Sequence, residues 1–466
     1  MIHLLLAAFV LAVIIWTSLR VESLGIKVLI FFALGAGTAA TLLATAGELG
    51  HEVLHHTFLV DYPQFIVIPL ATVAIASLGL FAVKVRDGAK LGWFLWLIAP
   101  IIGNFGTTWA MVPVGLSLIP TLKQMYPKTW KEIAIATCVF SMNMLALGTL
   151  AADPPQALWA VKVSASGAPL GFFFPFSQFW VYILVTWGLY FIVLKRLGVS
   201  FGSISELGGI SPKSWTKFAT GVVLAVCVGF AITALSGYNI SYFLGGLLVL
   251  AILTAFVLRR RSFSHEERHN TMHWLTETAT IFVAFFSVVA FAHAGLQEVP
   301  VSNQAMIGPI IGMTLGADNA AAFAAAYPQF EALPAQYMTW YNLFNSVVYG
   351  GVSPLGNGPQ ITLFLIILVA LREFKSGEVF KVWFKEALVF APYLLIWTLV
   401  STIVIEQGME FSIPIQILTG IGSLVAANEF MDLQTKFRKH VDVGTTWDGR
   451  RPQLRVVHKD EDADVA

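Results

Sequence analysis

Apolar stretches of about 20 residues recur along most of this chain, and each is long enough to cross roughly 30 Å of hydrocarbon as a helix. The composition agrees, because 57% of the 466 residues are hydrophobic and only 12% are charged. Soluble domains carry about a quarter charged residues. The sequence therefore predicts an all-α polytopic membrane protein whose partner is the lipid bilayer. Its formal charge of +1 gives no reason to expect a nucleic-acid partner.

The distribution of basic residues predicts how the spans are oriented, because Lys and Arg concentrate in cytoplasmic loops. Basic loops lie near residues 20–27, 84–90, 123–131, 195–217, 259–268 and 372–385. Loops rich in acids, amides or histidines, expected to face outwards, lie near residues 46–63, 297–303, 328–337 and 406–412. We therefore expect an integral protein of a prokaryotic inner membrane, with its N-terminus outside and its C-terminus in the cytoplasm.

Two apolar segments break the alternation of inner and outer loops. Residues 91–120 have basic loops at both ends, and residues 303–327 have acidic or neutral loops at both ends. A single spanning helix needs its ends on opposite sides, so each segment should enter the membrane and return to the side from which it came. Such re-entrant backbone is tolerated at membrane depth only where protein or a water-filled cavity satisfies its polar groups.

The two halves of the chain share short matches in the same order. APIIGNFG at 99–106 corresponds to GPIIGMTLG at 308–316, and DPPQAL at 153–158 corresponds to NGPQIT at 357–362. The offsets, 309 − 100 = 209 and 360 − 156 = 204, nearly agree. Because the paired segments have opposite predicted orientations, we expect inverted-topology repeats with discontinuous helices, which are typical of secondary transporters.

These matches divide the chain into two repeats and a final part. Residues 1–216 and 217–412 are the repeats, each with a re-entrant hairpin and a broken helix. The broken helices are expected at about 131–170 and 338–371. Residues 413–466 are expected to form a last helix and a polar cytoplasmic tail.

Polar groups concentrate at the predicted breaks. Proline cannot donate a backbone hydrogen bond and clashes with the preceding turn, so Asp153-Pro154-Pro155 and its mate around Asn357 should interrupt their helices. A carboxylate at the centre of a membrane helix costs about 2.5–3.5 kcal/mol, so Asp153 and Asp318 are the leading functional candidates. The other candidate cation- or proton-binding residues are Asn104, Thr107, Thr108, Gln156, Asn319, Ser353, Asn357 and Gln360.

The chemistry of this set favours a small cation. No Lys or Arg lies in either hairpin or at either break, although Lys162 follows the first break. Carboxylates and neutral oxygens suit hard cations. Burial raises the pKa of a carboxyl and a bound cation lowers it, so sodium and a proton should compete for one group. The sequence therefore predicts exchange of sodium, or a similar monovalent cation, for protons; sodium is a substrate, and neither a cofactor nor an enzymatic activity is expected.

Simpler roles stay open for the same residues. Asp153 also fits a turn at the outer membrane edge, because Asp-Pro commonly starts turns. Asp318 and Asn319 also fit a cap on the returning arm of their hairpin. His293 lies in an apolar segment, where it fits either a packing histidine or a proton relay.

A second motif points to different chemistry. His51-Glu52-Val53-Leu54-His55 has the spacing that places two zinc-binding imidazoles one helical turn apart, with Glu52 as general base. An intramembrane zinc protease would need a third ligand on the same side of the membrane. The nearest Asp-Gly pairs, Asp87-Gly88 and Asp448-Gly449, fall on predicted cytoplasmic segments, across from the histidines. An exposed histidine-rich turn, or one that senses pH, is the simpler interpretation.

The hairpins and the DPPQAL and SPLGNGPQ breaks resemble the ion transporter superfamily, and most closely its sodium/proton antiporter family. The resemblance covers about residues 25–430. It implies a scaffold part and a transport part, an elevator-like movement and a homodimer. The Ser-Asn-Thr signatures of the dicarboxylate carriers are absent from both hairpin tips, residues 104–107 and 316–319. A sodium-coupled carrier of a small organic or inorganic anion, with Lys162 as its cation, stays an alternative.

Overall fold

The computed structural model is mostly helical, as the composition predicts. Within the part of the chain that the structure describes, four helices are long and apolar enough to cross a membrane: Gly25–His55, Phe174–Arg196, Val389–Glu406 and Ile413–Thr435. The structure describes residues 2–21, 23–56, 83–86, 90–105, 108, 111–149, 152, 156, 159, 173–219, 284, 287–288, 290–295, 298, 335–344, 347, 350–351 and 376–440.

The α-helices of this part are numbered in chain order. They are α1 (Ile2–Arg20), α2 (Leu24–His56), α3 (Ala99–Phe105), α4 (Met111–Met125), α5 (Trp130–Val139), α6 (Phe174–Arg196), α7 (Ala335–Phe344), α8 (Ser376–Glu406) and α9 (Ile413–His440). Two π-helical turns, Phe94–Ile98 and Phe140–Met144, precede α3 and follow α5. A 3-10 turn, Ile204–Gly209, leads into β2 (Ile210–Pro212), which pairs antiparallel with β1 (Val83–Val85).

α1 and α2 run antiparallel, since His3 in the first turn of α1 lies 3.0 Å from the Thr45 hydroxyl, late in α2. α2 is kinked at Gly47, whose φ of 54° lies in the left-handed region that favours glycine. A Cβ on Gly50 would overlap the carbonyl oxygen of Leu42, so the chain after the kink packs back against the helix before it. The straight part of α2 therefore ends where the sequence predicts an outer loop.

Both ends of the segment around 91–120 meet the same loop. Trp93 Nε1 donates a hydrogen bond to the Gly202 carbonyl at 3.0 Å. At the other end, the Ser200 backbone N–H donates to the Tyr126 hydroxyl at 3.3 Å. Trp93 and Tyr126, on either side of α3 and α4 in the chain, therefore both contact the 200–202 loop.

Basic loops gather at this same end of the described part. The β1–β2 pair joins the loop around Lys84 to the loop after α6. Lys90 lies 3.6 Å from Glu206. Arg196, at the end of α6, forms an ion pair with Asp432 on α9 at 2.7 Å. The loops that the positive-inside rule assigns to one side are therefore neighbours, and the second half of α9 joins them.

α5 and its π-helical turn lie in the interior, between α4, α6 and α8. Phe140, fully buried, stacks on Tyr190 of α6 with ring centroids 4.5 Å apart, and it meets Phe390 of α8 edge-on at 4.9 Å. The Tyr190 hydroxyl donates to the Thr137 hydroxyl at 3.0 Å. Reciprocal indole bonds of 3.0 and 2.6 Å between Trp96 and Trp187 fasten the first π-helical turn to α6.

α8 and α9 form an antiparallel hairpin that packs on α6. Gly408, with φ 69°, ends α8, and the next backbone N–H, from Met409, donates to the Val404 carbonyl at 3.1 Å. Such a closing bond satisfies a carbonyl that the helix end leaves open. α9 begins at Ile413, where the sequence analysis starts the last helix, and continues beyond the predicted span to His440.

Candidate functional site

The first broken helix is interrupted earlier than the sequence predicts. α5 passes into the π-helical turn Phe140–Met144, and residues 145–149 then form turns and bends. Asp153-Pro154-Pro155, which the sequence analysis places at the interruption, follows this point in the chain and lies outside the described residues. The helix ends early because a side chain from the predicted hairpin takes over its hydrogen bonds.

That side chain is Asn104, near the end of α3. Its Nδ2 donates to the Leu145 carbonyl at 2.9 Å, and its Oδ1 accepts from the Gly148 backbone N–H at 2.7 Å. The Asn104 carbonyl also accepts from the Thr149 hydroxyl at 2.5 Å. We call this set, Asn104 with Leu145, Gly148 and Thr149, the Asn104 clasp. It replaces helical hydrogen bonds, as buried backbone groups require.

Two glycines make the clasp sterically possible. A Cβ on Gly103 would overlap the Ser141 carbonyl oxygen, and a Cβ on Gly148 would lie 2.7 Å from Asn104 Oδ1. Backbone therefore approaches backbone more closely here than any residue with a side chain allows. Gly103 is the glycine of the PIIG match between the two halves of the sequence, which gives that match a packing role.

The described candidate residues are all buried. Asn104 is 8% exposed, and Thr108 and Gln156 are not exposed at all. The Thr108 backbone N–H donates to the Ala152 carbonyl at 2.8 Å, which is a second link between the hairpin and the break. The structure therefore brings Asn104 and Thr108 to the first broken helix. Nδ2 of Asn104 also donates to the Pro100 carbonyl at 2.8 Å, so both of its amide hydrogens are used inside the protein.

The second half of the chain contacts the π-helical turn Phe140–Met144. A Cβ on Gly351 would lie 3.7 Å from the Asn143 Cβ and 3.8 Å from the Met144 Cγ, so the chain at Gly351 packs on the π-helical turn that precedes the clasp. Val347, shortly after α7, itself has π-helical geometry and is fully buried. Residues that precede the two predicted breaks are thus in contact.

The described polar groups around the clasp are neutral. They are two side-chain amides and four hydroxyls, all buried: Asn104, Asn143, Thr108, Thr137, Ser141 and Thr149. Their oxygens and the turn carbonyls are hard donors, which are the ligand type that hard cations prefer. The remaining candidates stay predictions because they lie outside the described residues: Thr107, Asp153, Asp318, Asn319, Ser353, Asn357 and Gln360.

The zinc-protease motif lies on the short helical part after Gly47. His51, Glu52 and His55 are all exposed there. Among the residues that the structure covers, no group of three His, Cys, Asp or Glu side chains is placed to hold a metal ion. Asp87-Gly88 and Asp448-Gly449 lie outside those residues, so the third ligand that the motif requires is not located.

Sequence reasoning missed the groups that build the break. Leu145 and Gly148 bind Asn104 through their backbone groups, and a search for polar side chains does not select them. The available signal was the PIIG repeat, in which Gly103 directly precedes Asn104. A glycine repeated in an apolar segment indicates close backbone approach, and this packing is what the structure has at Gly103.

Comparison of the chain with models of known protein families finds no match, and comparison with curated proteins finds no significant relative.

Proposed function

We propose that this protein is a secondary active transporter that exchanges sodium, or a similar monovalent cation, for protons. The observation that carries the proposal is the Asn104 clasp, because it holds an interrupted helix open in the buried interior of a chain with apolar, membrane-length helices. Non-helical backbone at membrane depth is tolerated where protein buries it or where it lines a cavity, and transporters use such breaks to bind ions.

An internal duplication is supported by π-helical residues in both halves of the chain. The offsets of 204 and 209 from the sequence matches carry Phe140–Met144 onto about residues 344–353, and Val347, which is also π-helical, lies in that range. We infer that the two halves are inverted repeats, with their breaks side by side.

A re-entrant hairpin in the first repeat is supported by the loop contacts. Trp93 and Tyr126 both bind the 200–202 loop, although the intervening chain includes α3 and α4. A segment that starts and finishes at one loop has its ends on one side of the membrane. Its far end, at Asn104, then lies at depth, where the clasp binds it to the first broken helix.

The proposed exchange uses the carboxylates of Asp318 and Asp153. A carboxylate that binds sodium has to lose its proton first, and a proton that returns displaces the cation. Buried neutral oxygens, such as those of Thr108 and Gln156, would complete the ligand shell without adding a fixed positive charge. The repeats would then carry the occupied site between the two faces of the membrane.

Proteoliposomes that contain a pH-sensitive dye test this function. An inward sodium gradient should drive proton efflux, and Asp318→Asn should reduce the flux to that of protein-free liposomes. Asp432→Asn is the matched control, because Asp432 pairs with Arg196 away from the clasp, and it should keep the wild-type flux. Normal exchange by Asp318→Asn would contradict the assignment of the site.

The same assay distinguishes the proposed exchanger from the alternative, a sodium-coupled anion carrier. Lys162, the basic group that this alternative needs, lies outside the described residues. Liposomes that contain the protein should respond to sodium alone and show no further flux on addition of a dicarboxylate. Sodium uptake that requires the dicarboxylate would contradict the exchanger and support the anion carrier.

A further inference from the structure

The β1–β2 pair has one apolar face and one basic face. Val83, Val85 and Ile210 pack against the hydrophobic core. Because successive residues of a strand point to opposite faces, Lys84 lies on the other face, opposite Ser211 in the register of the two strands. The Lys84 side chain is exposed there. The pair therefore presents positive charge on the side that faces away from the core.

Two further cations lie next to Lys84. Arg86 directly follows β1 and is exposed, and its backbone N–H donates to the Gly209 carbonyl at 2.8 Å, which extends the pairing by one residue. Lys213 directly follows β2 and is exposed as well. Among the residues that the structure describes, none of these three cations has an acidic partner within 4 Å. Their charges are therefore available to a ligand outside the chain.

An exposed tryptophan lies beside these cations. Trp215, two residues after Lys213, is 70% exposed. Phe218 packs against the core, and its ring meets the Trp215 indole edge-on with centroids 6.2 Å apart. The Ser214 hydroxyl accepts from the Lys217 backbone N–H at 3.3 Å, which caps the helical turn that begins here. The turn holds the indole at the surface between two exposed lysines, Lys213 and Lys217.

This surface lies at the end of a membrane-length helix. α6 ends at Arg196, and the chain after it folds back on that end, since Lys195 Nζ lies 5.1 Å from the centroid of the Phe201 ring. The same loop continues through Ile204, which is 65% exposed, into β2. Basic residues and tryptophan are enriched where a membrane protein meets the lipid headgroups. The loop therefore has both the position and the side chains of a headgroup contact.

We propose that Lys84, Arg86, Lys213, Trp215 and Lys217 form a binding surface for anionic phospholipid, which we call the headgroup surface. The phosphate of such a lipid carries the negative charge that complements the four cations, and basic clusters beside membrane helices bind anionic headgroups in this way. The indole has an apolar body and one N–H donor, which suits the boundary between headgroups and acyl chains. A soluble acidic ligand would account for the cations alone, whereas a lipid accounts for the cations and the tryptophan together.

Lipid bound at the headgroup surface would hold a loop that supports the interior. Trp93 and Tyr126, on either side of α3 and α4, both bind this loop. The segment between them reaches the first broken helix through Asn104. Anionic lipid would thus fasten the base of that segment to the bilayer surface. The headgroup surface is independent of the ion that the protein carries.

Native mass spectrometry of the detergent-purified full chain tests the headgroup surface. The anionic dioleoylphosphatidylglycerol should bind several-fold more tightly than the zwitterionic dioleoylphosphatidylcholine. Lys84→Gln combined with Lys213→Gln should weaken binding of the anionic lipid roughly tenfold and leave binding of the zwitterionic lipid unchanged. Lys128→Gln combined with Lys131→Gln is the matched control, because it removes two charges near the start of α5, and it should weaken binding by less than about twofold.

Three outcomes of this titration would overturn the proposal. They are equal binding of the two lipids, equal losses in the two double variants, and displacement of the anionic lipid by soluble glycerol 3-phosphate. The first would show that charge does not select the lipid, and the second that any cation at this end of the protein serves. The third would make the ligand a free phosphate ester, because glycerol 3-phosphate has no acyl chains for Trp215 to contact.

Tryptophan fluorescence gives a second measurement that keeps all of the cations. Phospholipids with brominated acyl chains quench the indoles that they contact in proteoliposomes. The emission that is lost in Trp215→Phe should be quenched more strongly by brominated phosphatidylglycerol than by brominated phosphatidylcholine at the same mole fraction. The emission lost in Trp16→Phe, at an exposed tryptophan of α1, should be quenched equally by both lipids. Equal quenching of Trp215 by the two lipids would overturn the headgroup surface.

Discussion

α5 and α9 are both apolar helices, but they occupy opposite environments. α5 is ten residues long, and seven of its side chains are buried between neighbouring helices. α9 is 28 residues long and unbroken, and it exposes apolar side chains such as Leu418, at 70%, and Val425, at 57%. The interior helix is short because it ends in a π-helical turn and the Asn104 clasp, whereas nothing interrupts α9.

This difference separates the parts of the protein that face lipid from those that build the site. Helices that face lipid must satisfy all of their backbone groups internally, which favours long and regular elements. An interior helix can end early because a neighbour such as Asn104 completes its hydrogen bonds. Length and hydropathy therefore identify α9 as a candidate membrane span. They do not identify α5, although α5 lies nearer to the candidate site.

Asn104→Leu is expected to give the largest effect, because it removes the clasp and keeps the side-chain volume. It leaves the Gly148 N–H and the Leu145 carbonyl without their partner in a buried place, and each such group costs about 1–3 kcal/mol. We expect a loss of about 3 kcal/mol in the free energy of unfolding, measured by denaturation in detergent, together with loss of sodium-driven proton flux.

Asn428→Leu is the matched control for the clasp. Asn428, on α9, accepts a hydrogen bond from Arg196 at 2.9 Å at an exposed position. Surface changes of this kind usually stay within about 0.5 kcal/mol. If the two asparagine variants destabilise the protein equally, the interior break is not held by Asn104 and the contrast between α5 and α9 has another origin.

Gly103→Ala should give the next largest effect. The added Cβ meets the Ser141 carbonyl oxygen, which is backbone and cannot rotate away, so α3 and α5 must separate. Overpacking of this kind costs about 1–3 kcal/mol. Gly422→Ala on α9 is the control, since nothing lies within 4 Å of the new Cβ. Its unfolding midpoint should equal or exceed that of the wild type, because alanine suits a helix better than glycine. A stable, active Gly103→Ala variant would contradict the close approach.

The elements that the sequence predicts best are those that depend on hydropathy and local turn chemistry. The start of the last helix at Ile413 and the end of the second span near Gly47, where an outer loop is expected, both agree with the sequence analysis. Apolar length fixes such spans, and glycine in the left-handed region marks their ends. Both signals lie within a few residues of the boundary that they define.

The interior break could not be placed from the sequence, because it depends on a contact between distant residues. Proline chemistry points to Asp153-Pro154-Pro155, but the helix already ends at the π-helical turn because Asn104 binds Leu145 and Gly148. Nor does any local pattern predict the hydrogen bond between His3 and Glu298, which are separated by most of the described chain. Asp318 and the second hairpin stay predictions that only transport measurements can test.

Tyr393→Phe should have an intermediate effect on a contact between two long helices. The Tyr393 hydroxyl of α8 and the Thr186 hydroxyl of α6 are 2.7 Å apart and buried. Hydrogen bonds between membrane helices contribute about 0.6 kcal/mol on average, so we expect a loss near that value in the free energy of unfolding. Tyr126→Phe removes an exposed bond of 3.3 Å and should cost less. A larger loss in Tyr126→Phe would show that the loop contact, and not the α6–α8 contact, limits stability.

Leu418→Ala is expected to have the smallest effect of these changes. A side chain that is 70% exposed on an apolar helix contacts mainly lipid or detergent, which fills the space that alanine leaves. The free energy of unfolding should therefore change by less than about 0.5 kcal/mol. Leu194→Ala on α6, at a fully buried position, leaves a cavity and should lose more, about 2 kcal/mol.

The Leu418 experiment also tests the homodimer that the family resemblance implies. If Leu418→Ala destabilises the protein by more than about 1 kcal/mol, and the loss grows as the protein is diluted, then this face of α9 is covered by a second copy of the chain, because only association makes stability depend on concentration. An effect that is independent of protein concentration would instead indicate that this face of α9 contacts lipid or detergent. Size-exclusion chromatography with light scattering on the same samples gives the oligomeric state directly.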